Sequence, residues 1–105
     1  MAYAFDLGTF WHAHSEWSQK TFGKDSVRGP TGPLRHLAKE VQEVLAEPDK
    51  LEEYADLLFL VFDSCRRAGF TYSQLEQAVW DKLEVNKARS WQVPDSPDEP
   101  VEHIR

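Results

Sequence analysis

The sequence predicts an all-α fold, a four-helix bundle. Three observations carry this. Apolar residues recur at helical spacing in four segments parted by Gly- and Pro-bearing breaks. No segment shows the apolar/polar alternation of a strand. The chain has 105 residues, 41% apolar and 29% charged, which suits one domain of ordinary globular composition.

The first helix is expected from about Asp6 to Thr21, with Asp6 or Thr9 as its cap and Phe10, Ala13 and Trp17 on its inner face. The loop GKDSVRGPTGP follows, rich in Gly and Pro and carrying Lys24 and Arg28. The second helix starts near Pro33, just after Thr31. Leu34, Leu37, Ala38, Val41, Val44 and Leu45 form its apolar stripe, and Pro48 stops it. The third opens at Asp49, with Glu52 completing a capping box, and ends at the signals Arg66, Arg67 and Gly69. Thr71 and Gln74 form the capping box of the fourth helix. It runs to about Arg89 and turns Leu75, Ala78 and Val79 inward. Residues 1–91 thus form a helical domain. Residues 92–105, QVPDSPDEPVEHIR, form a polar, Pro-rich tail expected to be extended and ordered against another surface.

The bulk chemistry excludes several functions. A formal net charge of −6 repels nucleic acid, anionic lipid and free nucleotides, so a phosphate-bearing ligand needs metal ions or a local basic patch. No run approaches the roughly 20 apolar residues of a membrane span, and the N-terminus MAYAFDLGTFW lacks a secretory signal. The lone Cys65 suits a reducing cytoplasm and reads as a small buried thiol. It also excludes a thiolate zinc site. Glu-x-x-His on two helices, the di-iron bundle pattern, is absent. So are an EF-hand loop, a P-loop, a dinucleotide fingerprint and a Ser/His/Asp nucleophile.

What remains is a set of acids. In EYADLLFLVF, residues 53–62, apolar side chains surround the helix axis, which predicts burial. A bare Asp56 there would cost several kcal/mol, so it needs a cation: a metal, a Lys or an Arg. Glu53 and Asp56 lie at i, i+3, and Asp63 and Arg67 continue their stripe. Glu40 and Glu43 repeat the spacing on the second helix, flanked by His36 and Glu47. Taken alone, that second-helix pair is most simply a solvated outer face. The plain alternative for the third helix is an internal salt bridge, with Arg66 or Arg67 of a neighbouring subunit as the candidate partner. On the fourth helix Lys82, Asn86 and Arg89 continue the inner face. Either they are aimed at something negative, or their stems cover the core and their heads reach water. Together the four carboxylates offer hard oxygen ligands for Mg²⁺ or Mn²⁺. A basic row beside such a cluster suits phosphate-ester or phosphoanhydride chemistry.

The order E-x-x-E (Glu40, Glu43), E-x-x-D (Glu53, Asp56), K-x-x-x-N (Lys82, Asn86) resembles the all-α nucleoside triphosphate pyrophosphohydrolases, the MazG-like superfamily. The strings GPLRHLAKE at 32–40, EPDKLEEYADLLFLVFD at 47–63, RRAGF at 66–70, KLEVNKARSW at 82–91 and the terminal PVEHIR look like its short phage and bacterial dATP/dGTP diphosphatase subgroup. The resemblance implies a fold of the MazG-like type. It implies cleavage of a (d)NTP, a purine dNTP in this subgroup, to the monophosphate and pyrophosphate by metal-activated water attack on the α-phosphorus. It assigns Glu40, Glu43, Glu53 and Asp56 to the Mg²⁺ (or Mn²⁺) site, and it places His36, Lys39, Lys82 and Asn86 at the substrate; Arg89, next along the same helix face, joins them by position. Many members carry a Glu where Lys39 stands, so either fewer metals or a phosphate contact from Lys39 is implied. The resemblance also implies a homodimer or homotetramer. The lone cysteine and the acidic charge lead to the expectation of a cytoplasmic protein (in the host's cytoplasm, if phage-encoded) with neither nucleic acid nor membrane as partner.

By position, Glu43 is the candidate to orient or deprotonate the water, with Glu52 as the other. Trp11, Trp17, Phe22 and Trp91 are aromatic candidates for stacking on the base, and the loop 23–33 could close over the triphosphate. Two competing functions stay open: a non-catalytic helical oligomerisation or regulatory module, and a pyrimidine-specific (dCTP/dUTP) pyrophosphohydrolase.

Overall fold

The computed structural model describes residues 6–91, 93 and 96–104, with His103 by its backbone alone. Of the sequence expectations, the N-terminal MAYAF and, in the tail, Gln92, Pro94, Asp95 and Arg105 fall outside them. Four helices dominate: α1 Leu7–Phe22, α2 Thr31–Ala46, α3 Leu51–Arg67 and α4 Tyr72–Ala88. The fold is all-α, as the periodicity predicts. The chain divides into two compact units between Tyr72 and Ser73.

In the first unit α3 is the common element, packing along α2 and against α1. Asp6 caps α1, its Oδ1 accepting from the Thr9 amide at 2.9 Å. The phase of α1 differs from the expected Phe10/Ala13/Trp17 face. Trp11, His14 and Ser18 are the buried residues, while Ala13 and Trp17 are exposed. The spacing is right, but the buried face is one residue further round. Polar His14 and Ser18 occupy it because their partners come from α3, which a count of apolar residues does not register.

α2 begins at Thr31, two residues before the expected start, with Pro30 at its cap position. α3 is capped by Lys50 without a side-chain bond, so the expected Asp49/Glu52 capping box does not form. Its end matches the sequence signals. Gly69, at φ +101°, lets the Phe70 amide reach back to the Cys65 carbonyl at 3.3 Å.

The core of this unit is aromatic. Trp11 and Phe62 are each 4% exposed and lie 5.1 Å apart, centroid to centroid. Phe10 stacks on Phe59 at 5.3 Å, and Tyr72 lies 5.7 Å from Trp11. The expectation that α3 is buried all round fails in the single chain: Leu51, Tyr54, Leu58 and Val61 stay exposed, as do Leu34, Val41 and Leu45 of α2.

In the second unit, none of the described residues of α4 is buried, so the expected inner face of Ala78 and Val79 lies open in the single chain. The tail departs from an all-helical reading. β2, His103–Ile104, returns to pair antiparallel with β1, Ser90–Trp91, in the register Ser90–Ile104 and Trp91–His103. Two residues per strand are too few to show alternation, which is why periodicity gives no sign of them.

Candidate functional site

Glu40 and Glu43 stand one turn apart on α2, and α3 brings Glu53 to them. One oxygen from each of the three lies within 4.8 Å of the others. The crowding shows in protonation. Glu43 is pushed above the usual carboxylate range, first by sharing a hydrogen bond with Glu40, then by the charges of Glu40 and Glu53, with Lys39 only partly opposing them. Acids gathered in this way with so little compensating charge fit a hard divalent cation, which would relieve their repulsion. His36 Nε2 lies 3.1 Å from Glu40 Oε1 and orients that carboxylate.

Asp56, one turn beyond Glu53, is exposed rather than buried and stands outside the trio. The burial inferred from its apolar neighbours is therefore corrected: much of the surface those neighbours present stays uncovered in the single chain. Arg66 and Arg67, its alternative partners, are taken up by other acids of the same chain. Asp56 instead joins Glu40 in lining a cavity of about 400 Å³.

Each bordering helix supplies cavity residues at one-turn spacing: His14 and Trp17 from α1, His36 and Glu40 from α2. Phe59, Asp63 and Arg67 extend the α3 wall away from Asp56. The aromatic end is built on His14, which stacks on Phe59 at 5.1 Å and on Phe10 at 5.7 Å. Trp17 meets Phe22 edge-on at 5.4 Å. His14 Nδ1 is buried with no hydrogen-bond partner. Burial lowers the His14 pKa from 6.5; Asp63 opposes this, while Arg66 and Arg67 add to it.

That shift has a signed consequence. Between the lowered folded value and 6.5 the unfolded chain binds the proton more readily, so stability falls as pH falls through this window. The difference in urea midpoint between wild type and His14→Phe is expected to change between pH 7.5 and pH 5.5, with wild type losing more. Parallel pH profiles would show that His14 does not titrate in this way.

Behind the cavity is a network of buried charge. Ser18, fully buried, donates to Asp63 Oδ2 at 2.9 Å and accepts from Arg67 Nη2 at 3.2 Å. Arg66 donates to Asp63 Oδ1 through Nη2 at 2.7 Å and to Asp25 Oδ2 through Nε at 2.9 Å. Arg67 Nη1 donates to the Gly23 carbonyl at 3.0 Å and lies 3.5 Å from Asp25 Oδ1. Asp25 thereby ties the α1–α2 loop to α3.

The other candidates sort as follows. Trp17, Phe22 and Arg28 line the cavity. Trp11 is core, and Trp91 donates through Nε1 to the Asn86 carbonyl at 2.9 Å. Lys39 is exposed beside the acid trio. Lys82, Asn86 and Arg89 belong to the second unit. Among the described residues Asn86 Oδ1 is buried without a partner, and Arg89 is half-buried. The part played by His14 was missed at the sequence level. Its signal was the polar pair His14/Ser18 at i, i+4, in phase with Trp11.

A family model described as dATP/dGTP pyrophosphohydrolase matches residues 10–105. The chain is 46% identical over 92 residues to the Eaa protein of Salmonella phage P22, a match that covers 88% of this chain and 28% of that protein. The chain therefore spans less than a third of the length of the curated relative it matches. It is also similar to a solved structure, the cyanophage S-2L MazG-like pyrophosphohydrolase bound to dGDP and three catalytic Mn²⁺ ions per active site. The TM-score is 0.76 at 25% identity, over 97% of this chain and all of that one.

Proposed function

The chain belongs to the dATP/dGTP pyrophosphohydrolase family, and from that membership we propose that it hydrolyses a purine deoxynucleoside triphosphate to the monophosphate and pyrophosphate with Mg²⁺ or Mn²⁺. The observation that carries this reading is the trio Glu40, Glu43 and Glu53, whose oxygens converge within 4.8 Å, with Glu40 also facing the cavity. The dGDP and Mn²⁺ held by the similar cyanophage enzyme support it.

Glu40, Glu43 and Glu53 would hold the metal, with Asp56 at the cavity edge. When bound, a divalent ion supplies positive charge to the phosphate oxygens and makes a coordinated water more acidic. The rest falls to the chain's own side chains. His36 fixes the Glu40 carboxylate. By position Glu43 is the candidate to orient or deprotonate the attacking water, with exposed Glu52 as the other. Lys39, Lys82, Asn86 and Arg89 are proposed phosphate contacts on the strength of the motif. Trp17 and Phe22 offer faces for the base.

The apolar residues left open on α2 and α3, among them Leu45 at 68% and Leu51 at 80% exposed, support a homodimer or homotetramer. No helix among the described residues is long and apolar enough to cross a membrane. The phage relative and the lone Cys65 support action in a cytoplasm, that of the host if the chain is phage-encoded.

The test is a panel of dATP, dGTP, dCTP, dUTP and the ribonucleotides with Mg²⁺ or Mn²⁺, assayed for pyrophosphate and monophosphate. Purine deoxynucleotides are expected to turn over fastest. Preference for dCTP or dUTP would move the reading to a pyrimidine enzyme. No turnover with either metal would move it to a non-catalytic helical module.

A further inference from the structure

We propose that Asp63 reads the base, accepting hydrogen bonds from the N1–H and 2-amino groups of guanine, so that this chain prefers dGTP to dATP. The inference rests on the function proposed above and deepens it.

Position comes first. Asp56 and Asp63 both line the cavity from α3, seven residues apart, which is two turns or about 10 Å along the helix. The acid trio marks the Glu40/Asp56 end as the place for phosphates. A nucleotide lying along α3 from there sets its base against the aromatic end, where Trp17, Phe22 and Phe59 stand, and brings the base edge to Asp63.

Preparation comes next. The Asp63 side chain is 8% exposed, and both of its oxygens are fixed, Oδ2 by Ser18 and Oδ1 by Arg66. Ser18 accepts from Arg67, which commits its own proton to Asp63. A carboxylate accepts about four hydrogen bonds, so roughly two places remain after these two. A structural ion pair does not need them: Arg66 already has Asp25 at 2.9 Å. Holding a carboxylate rigid at the cavity wall while it keeps free lone pairs is what recognition of a donor requires.

The chemistry of the bases then decides between them. Guanine presents two adjacent donors, N1–H and the 2-amino group, and a carboxylate can take both. Adenine presents its N1 lone pair beside a single amino group, and a carboxylate has no proton to offer that lone pair. Sites built for a hydrogen-bonding group discriminate strongly against analogues that lack it, and a factor of about 10 to 100 is expected here.

The experiment compares dGTP, dITP and dATP with Mn²⁺, and in parallel the binding of dGDP, dIDP and dADP. dITP differs from dGTP only in lacking the 2-amino group. On the unaltered protein dIDP is expected to bind at least about 10-fold more weakly than dGDP, with KM following and kcat changing less. Asp63→Asn is expected to shrink the dGDP:dADP binding ratio at least about 10-fold, its urea midpoint showing that it is folded. Equal binding of dGDP and dIDP overturns the proposal whether or not Asp63→Asn folds. So does an Asp63→Asn protein that loses affinity for all three equally, since that marks a structural residue. If no triphosphate is hydrolysed yet guanine is preferred in binding and Asp63→Asn removes that preference, the proposed reaction fails and the role of Asp63 stands.

Discussion

Glu40→Gln is expected to lose pyrophosphate release by about 100-fold or more. Glu40 is the one residue shared by the acid trio and the cavity, and its side chain is only 17% exposed. Glutamine keeps its shape and leaves His36 an acceptor, but it removes the negative charge that a divalent ion needs. The fold should persist, because the neighbours that crowd Glu40 are acids whose repulsion the change relieves. Glu47→Gln is the matched control, since Glu47 pairs with Lys50 at the surface beyond the trio. Pyrophosphate release at saturating Mn²⁺, with helical content followed by circular dichroism, decides it. Full turnover by Glu40→Gln would remove the trio from the reaction.

Arg67→Ala is expected to cost about 3–5 kcal/mol of stability, the range for breaking a buried ion pair from one side. The Arg67 side chain is 1% exposed and donates to the Gly23 carbonyl and to Ser18. Without it Asp25 and Asp63 share a single guanidinium, and the half-buried Gly23 carbonyl loses its donor. Because whole domains have only about 5–15 kcal/mol to lose, the urea midpoint should fall steeply. Arg67→Lys should land between the two, since one ammonium cannot span Gly23 and Ser18 as a planar fork does. A midpoint unchanged by Arg67→Ala would mean that the network contributes nothing net.

How much of this the sequence reveals depends on the range of the interaction. Helix positions and the end of α3 at Gly69 are local events and could be read directly. The acids Glu40, Glu43 and Glu53 could be read as well, because i, i+3 spacing places pairs on a face, and two such pairs on adjacent helices suggest convergence. Asp56 was misjudged because an apolar run was equated with burial, whereas part of that run is left open in the single chain. The charge network was out of reach. Asp25 meets Arg66 across 41 positions, and Ser18 meets Arg67 across 49. No periodicity encodes such pairings. His14 escaped for the same reason: a histidine on a helix says nothing by itself about the phenylalanine that α3 will set against it.

The sequence leads to the expectation that the α1–α2 connection can close over the triphosphate. In the structure Asp25, held by Arg66, ties the middle of that segment to α3. The segment that sets Arg28 into the cavity wall is fastened when the chain folds. Its ordering entropy is spent at that step instead of on arrival of a ligand. Protection of the Lys24 and Arg28 bonds from trypsin should therefore be nearly the same with and without nucleotide, and affinity should carry little penalty for preorganisation.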